Sequence, residues 1–203
     1  MLENLMDDIK SAREIAMEKV EKLDKATDED RLKWKYVPEG EKLAARYLKE
    51  ECNLVAELSH YEENARKYVK DGASDILVRN IALPKNEFVE KHNKRVMEGL
   101  KTLKSDKVKV ENVFSALRRI FNHYMEQGKQ QKKQAYESLK AEFEAKLQQA
   151  IQQQVGPVAG MMYKIAVERQ PQFQEEWRKL EAQLESQYLR LLDEYKKELL
   201  AIP

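Results

Sequence analysis

Three histidines, one cysteine and 36 acids are the groups from which this sequence would have to build chemistry. Glu57-Leu58-Ser59-His60 has the Glu-x-x-His spacing that sets a carboxylate and an imidazole on one face of a helix. Carboxylate-bridged di-metal bundles use two such motifs with two further glutamates. Here the motif occurs once, because His92 and His123 have Val89 and Ile120 at the corresponding position. Glu57 and His60 are the candidate metal ligands, and the simpler expectation is a polar pair at a helix edge. No metal or other cofactor is expected.

His92 falls on an apolar stripe, where a histidine hydrogen-bonded to a carbonyl is the usual state, and His123 lies beside Phe121 and Tyr124. Cys52 sits between Leu48 and Val55 on a helical pattern, the place of a small buried hydrophobe rather than a reactive thiolate. A single cysteine allows no intramolecular disulfide and fits a reducing compartment, so a cytoplasmic protein is expected. No Gly-rich phosphate loop, metal-binding cysteine cluster or nucleophile elbow occurs. Catalytic groups concentrate on loops, of which this pattern has few, and an enzyme is not expected.

Two basic features address nucleic acid. Trp34 and Tyr36 alternate with Lys33 and Lys35, which suits stacking on single strands but equally suits a connector tucking two rings under helices. Residues 101–150 hold eleven Lys/Arg against six Asp/Glu, spread along a helix and interleaved with Gln. A solvated helix face is the simpler reading of both, and a net charge of +1 gives no global steering.

The elements that carry these groups read as helices throughout. The chain has 36% charged residues and only 6 Gly and 5 Pro, a composition of long helices with thin cores. Leu2, Leu5, Ile9, Ala12, Ala16, Val20 and Leu23 step in threes and fours as a heptad seam ending near Ala26, where Thr27 to Asp30 resembles a fresh cap. The acidic start has no basic n-region or apolar h-region, so no secretory signal is expected. A helix is expected from Pro38 to Asp71-Gly72, and another from Lys85 with Phe88, Val89, His92, Val96, Leu100 and Leu103 on one face. Between them, Asp75 to Pro84 has no helical period and reads as an extended stretch or one helical turn.

Glu111 to Ile202 organises the rest. Val113, Phe114, Leu117, Ile120, Phe121, Tyr124 and Met125, then Tyr136, Leu139, Phe143 and Leu147, mark a first arm. Phe173, Trp177, Leu180, Leu184, Tyr188, Leu191, Tyr195 and Leu199 mark a second. Gly128 costs about 1 kcal/mol against Ala in a helix, which a long helix tolerates, so the first arm is expected to run unbroken from Val110 to Val155. Between the arms lies Gly156 to Val167, an apolar connector whose only charge is Lys164.

The expected fold is all-α: a helical bundle body over 1–125 and a long antiparallel, coiled-coil-like helical hairpin over 126–203 that returns to it. The expected function is a non-enzymatic helical scaffold, adaptor or stalk-like assembly protein. The alternatives are a metal- or ligand-binding bundle using Glu57 and His60, and a nucleic-acid-associated protein using 101–150. More apolar faces are present than one thin chain covers, so a homodimer is expected. Its interface is assigned to Met161, Met162, Tyr163 and Ile165, with the Leu2/Ile9 seam second. The 156–167 connector is read first as buried within the protein or its own oligomer, the alternative being an apolar tip that meets a protein partner or a membrane surface; the arm is the other place for a protein partner, and no segment is long and apolar enough to span a membrane.

Overall fold

The computed structural model describes residues 26–155 and 167–203, with Ser11 and Met17 besides. Every regular element among them is helical. In chain order they are α1 (Asp28–Leu48), α2 (Leu54–Ser59), α3 (Glu63–Arg79), α4 (Glu87–Leu103) and α5 (Lys107–His123). A π-helical turn (Tyr124–Gly128), α6 (Lys129–Val155), a 3-10 turn (Val167–Arg169) and α7 (Pro171–Ala201) follow. The all-α bundle expected from the sequence is the fold. Two compact units divide the chain, Met1–Ile76 and Leu77–Pro203. No described helix is long and apolar enough to cross a membrane.

In the first unit, α1 opens on the cap anticipated at Thr27. Its hydroxyl accepts from the Asp30 amide at 3.2 Å, and the Asp30 carboxylate accepts from the Thr27 amide at 3.0 Å, a reciprocal capping box. The helix does not wait for Pro38. It starts ten residues earlier and runs through that proline, so residues 31–36 are helix rather than connector. Pro38 removes one N–H from the ladder, and a capped helix with ten residues already laid down absorbs the loss. The stripe read as one helix to Gly72 is interrupted at 49–53, where Glu50 takes φ 66°, the left-handed region that ends helices. Asn53 then caps α2, accepting from the amides of Val55 at 2.9 Å and Ala56 at 3.3 Å. Cys52 therefore lies in the break, half-buried, with its Sγ 3.8 Å from the Leu43 carbonyl.

Gly72 does not terminate a helix. It sits inside α3, where a Cβ would fall 2.1 Å from the Val37 carbonyl oxygen. A Cβ on Gly40 would fall 2.0 Å from that of Val69. The two glycines let α1 and α3 meet backbone to backbone, an approach any side chain would block.

The second unit settles the segment without a period. Asp75 to Arg79 is the last turn of α3, and Asn80 to Pro84 leaves the helix. Its partner is a side chain rather than a strand. Asn93 donates to the Ala82 carbonyl at 2.7 Å and accepts from the Ala82 amide at 3.0 Å, both bonds made by a residue buried in α4. The α4 face also differs from expectation. Asn93, Val96, Met97, Leu100 and Leu103 are buried, while Phe88 is 77% exposed and stacks on His92 with centroids 6.2 Å apart. The carbonyl bond expected of His92 is made by its neighbour Asn93.

Asp106 caps α5, as its position after Ser105 suggests, by accepting from the Lys109 amide at 3.0 Å. α5 passes through the π-turn into α6 without a break, so helix runs across Gly128 as expected. α6 and α7 pair antiparallel. Tyr136 meets Phe173 and Trp177 edge-on at 5.5 and 5.0 Å, Phe143 meets Phe173 at 5.4 Å, and Lys140 bridges to Glu168 at 2.6 Å. α7 continues along α5, with Tyr188 against Tyr124 at 5.2 Å. Its register differs from the sequence stripe by one residue after Tyr188: Leu192 is 3% exposed and Leu191 is 42% exposed. A step of four from Tyr188 keeps the row on one face, where the assumed step of three drifts off it. At its end, the Ile202 carbonyl accepts from Lys104 at 2.5 Å and the Pro203 carbonyl from the Ser105 amide at 2.8 Å.

Candidate docking groove and the buried ion network

The chemistry proposed for Glu57 and His60 meets a different local structure. The six residues of α2 end at Ser59, which leaves His60 exposed as the C-cap. The Glu57 carboxylate takes a two-pronged bond from the Arg46 guanidinium at 2.9 and 3.3 Å. Among the described residues no cluster of three or more His, Cys, Asp or Glu is placed to hold a metal ion. Leu2, Ile9, Met161, Met162, Tyr163 and Ile165, assigned to a self-interface, lie outside the described residues.

Sequence reasoning missed Glu185. It is buried on α7 in a row with Glu181, Tyr188 and Leu192, one position beside the apolar stripe. One carboxylate oxygen accepts from the Tyr124 hydroxyl at 2.8 Å and from Lys132, and the other accepts from Lys85 at 3.0 Å. Lys132 also reaches Glu181 at 3.0 Å and the Tyr124 hydroxyl at 3.1 Å. Burial alone would raise the Glu185 carboxyl, but hydrogen bonds from Lys132, Lys85 and Tyr124 outweigh it and bring it from 4.5 to about 2. Burial opposes the charge on Lys132 too, and its bonds to Glu185, Tyr124 and Glu181 hold it above the usual lysine range. Burial pushes the Tyr124 hydroxyl up as well.

Tyr124 and Gly128 bound the π-turn and are both buried, and Gly128 leaves room for Tyr188, whose hydroxyl would lie 3.3 Å from a Cβ there. The Tyr188 hydroxyl is 2.9 Å from His123 Nδ1. The cluster thus locks the 80–86 segment, the π-turn and α7 together. Each of its charges has a partner inside the chain.

An open site lies instead between α4 and α5. Lys101 bonds Glu111 at 3.2 Å near the short turn joining the two antiparallel helices, and Asn122 and Met125 flank the far end with Glu90. Between them is a groove of about 480 Å³ whose floor is Met97, Phe114, Phe121 and Met125. Its walls carry three acids and three bases. Lys94 pairs with Glu90 at 2.7 Å, while Glu111 accepts from both Arg118 and Lys101, whose bonds hold its carboxyl below the usual range. Glu98, midway along the α4 wall, forms no ion pair with any described residue. Apolar grooves of this size between bundle helices are where small ligands and partner segments bind. The sequence carried a weak signal for it: Met97, Phe114, Phe121 and Met125 widen their stripes beyond what one neighbouring helix covers.

The fold is an all-α bundle with a cleft between α4 and α5. Residues 55–201, well over half of the chain, match a family of unknown function (DUF6657), and the chain belongs to that family. The match takes in both the groove and the Glu185 network. No curated protein and no solved structure matches the chain.

Proposed function

We propose that this chain is a non-enzymatic helical assembly protein of the cytoplasm, a scaffold, adaptor or stalk component that works as a homodimer and through protein partners. The observation that carries this reading is the groove between α4 and α5, about 480 Å³ with an apolar floor and walls whose charges are mostly neutralised within the chain. Its floor residues Met97, Phe114 and Phe121 are themselves buried, so the groove is a shaped cleft in the bundle surface, suited to an apolar segment rather than to a highly charged ligand.

The fate of the reactive groups supports the same reading. Glu57 is bound to Arg46, Glu185 to Lys132, Lys85 and Tyr124, and Asn93 to the Ala82 backbone. Much of the basic excess over 101–150 is likewise engaged: Lys101 and Arg118 on Glu111, Lys107 on the Lys104 carbonyl, Lys132 on Glu185 and Lys140 on Glu168. The test is light scattering across a dilution series. A mass of twice the 23.9 kDa chain at micromolar concentration is expected. Monomer mass throughout refutes the homodimer.

A further inference from the structure

We propose that the π-turn Tyr124–Gly128 is a register device: it stores one surplus residue of the α5–α6 run, and that residue can be taken out without changing which face of α6 meets α7. Three observations carry this.

The first is a mismatch in count between two helical runs that share the same pair of contacts. Trp177 of α7 meets Tyr136 with ring centroids 5.0 Å apart, and Tyr188 of α7 meets Tyr124 at 5.2 Å. Trp177 and Tyr188 are eleven residues apart, whereas Tyr124 and Tyr136 are twelve apart. At 3.6 residues per turn each residue subtends about 100°, so eleven residues close three turns to within about 20°. The two α7 rings therefore lie on one face of a regular helix. Twelve residues overrun three turns by about 120°, and a regular helix would carry Tyr136 off the face that holds Tyr124.

The second is where the surplus goes. The hydrogen-bonded ring of a π-turn is one residue larger than that of an α-turn, so a single π-turn takes up one residue. This one lies between the two ring contacts, opening at Tyr124 and closing at Gly128. Beyond it the run still faces α7. Lys132 bonds Glu181 at 3.0 Å and also Glu185, and Tyr136 meets Phe173 at 5.5 Å.

The third is which residues are surplus. Tyr124 and Gly128 are buried, while Glu126 and Gln127 between them are exposed. Removing either of the exposed pair takes no buried side chain from the core.

Single-residue deletions test this, read by thermal melts of Trp177 fluorescence in a Trp34→Phe background. Deleting Gln127 sets Tyr124 and Tyr136 eleven residues apart, the count of α7. Its melting midpoint is expected within about 5 °C of the parent, and deletion of Glu126 is expected to behave alike. Deleting Gln183, an exposed residue of α7 between Trp177 and Tyr188, widens the mismatch to twelve against ten. That chain is expected to melt at least about 10 °C lower, with Trp177 emission shifted toward that of indole in water. Circular dichroism of each chain reads whether the helices form. Deletions of Gln127 and Glu126 that both unfold the chain, or that damage it as much as deletion of Gln183, overturn the proposal. So does a Gln183 deletion as mild as that of Gln127.

Discussion

Removing the charge of Glu185 tests whether the ion network locks the second unit. The carboxyl moves from an ordinary 4.5 to about 2 and is nearly buried. At about 1.4 kcal/mol per pH unit, its ionised form is stabilised by roughly 3 kcal/mol relative to the unfolded chain. Glu185→Gln keeps the shape and an acceptor for Tyr124, yet leaves Lys132 with Glu181 as its one carboxylate partner. A loss of about 2–4 kcal/mol at pH 7 is expected, in the range for breaking a buried pair from one side. The pH dependence fixes the cause. A depressed carboxyl contributes fully above its unfolded value of about 4.5, and the contribution is lost as pH falls toward about 2. The gap between wild type and variant therefore stays constant from pH 8 to pH 5 and narrows below about pH 4.5. Urea melts followed by Trp177 read the second unit specifically once Trp34 is replaced by Phe, since the chain has two tryptophans. Trp177 stands 5.0 Å from Tyr136 across the α6–α7 pair. A loss below about 1 kcal/mol at pH 7, or a gap that ignores pH between 5 and 3, refutes the reasoning.

Other substitutions follow from the same geometry. Gly72→Ala drives a Cβ into the Val37 carbonyl and is expected to destabilise the first unit by about 2 kcal/mol or more. Gly128→Ala meets side-chain atoms of Tyr124 and Tyr188 at 3.2–3.5 Å, and its helix-propensity gain of about 1 kcal/mol offsets the crowding to near neutrality in urea melts. Leu192→Ala is expected to cost about 2–4 kcal/mol and Leu191→Ala under about 1 kcal/mol, a reversal of what the sequence stripe implies. Asn93→Ala leaves both Ala82 backbone groups unpaired, for a loss of about 2 kcal/mol and faster hydrogen exchange at the Ala82 amide.

Local signals with one physical cause were legible in the sequence. The Thr27 cap, the apolar face of α5 and the continuity through Gly128 all depend on neighbours within a few residues. What the sequence hid depends on contacts between distant segments. Gly72 looks like a helix stop because most glycines after a stripe are, yet its role is set by Val37, 35 residues away. Glu185 looks solvated until Lys85, Lys132 and Tyr124 arrive from three other places in the chain. The Asn80–Pro84 stretch lacked a period because a single side chain, Asn93, holds it. The Glu57-x-x-His60 spacing does not show that α2 ends before His60 or that Arg46 pairs with the carboxylate, because Arg46 comes from another helix. The groove itself was visible only as surplus apolar width, a signal that says something covers a face and not what.

The proposed function stands or falls on self-association, and exchange between chains tests it most directly. Chains grown on ordinary and heavy nitrogen are mixed at micromolar concentration, allowed to exchange, and weighed by native mass spectrometry. The account predicts a dimer of mixed mass beside the light and heavy ones, each about twice the 23.9 kDa chain. Monomers alone would contradict it.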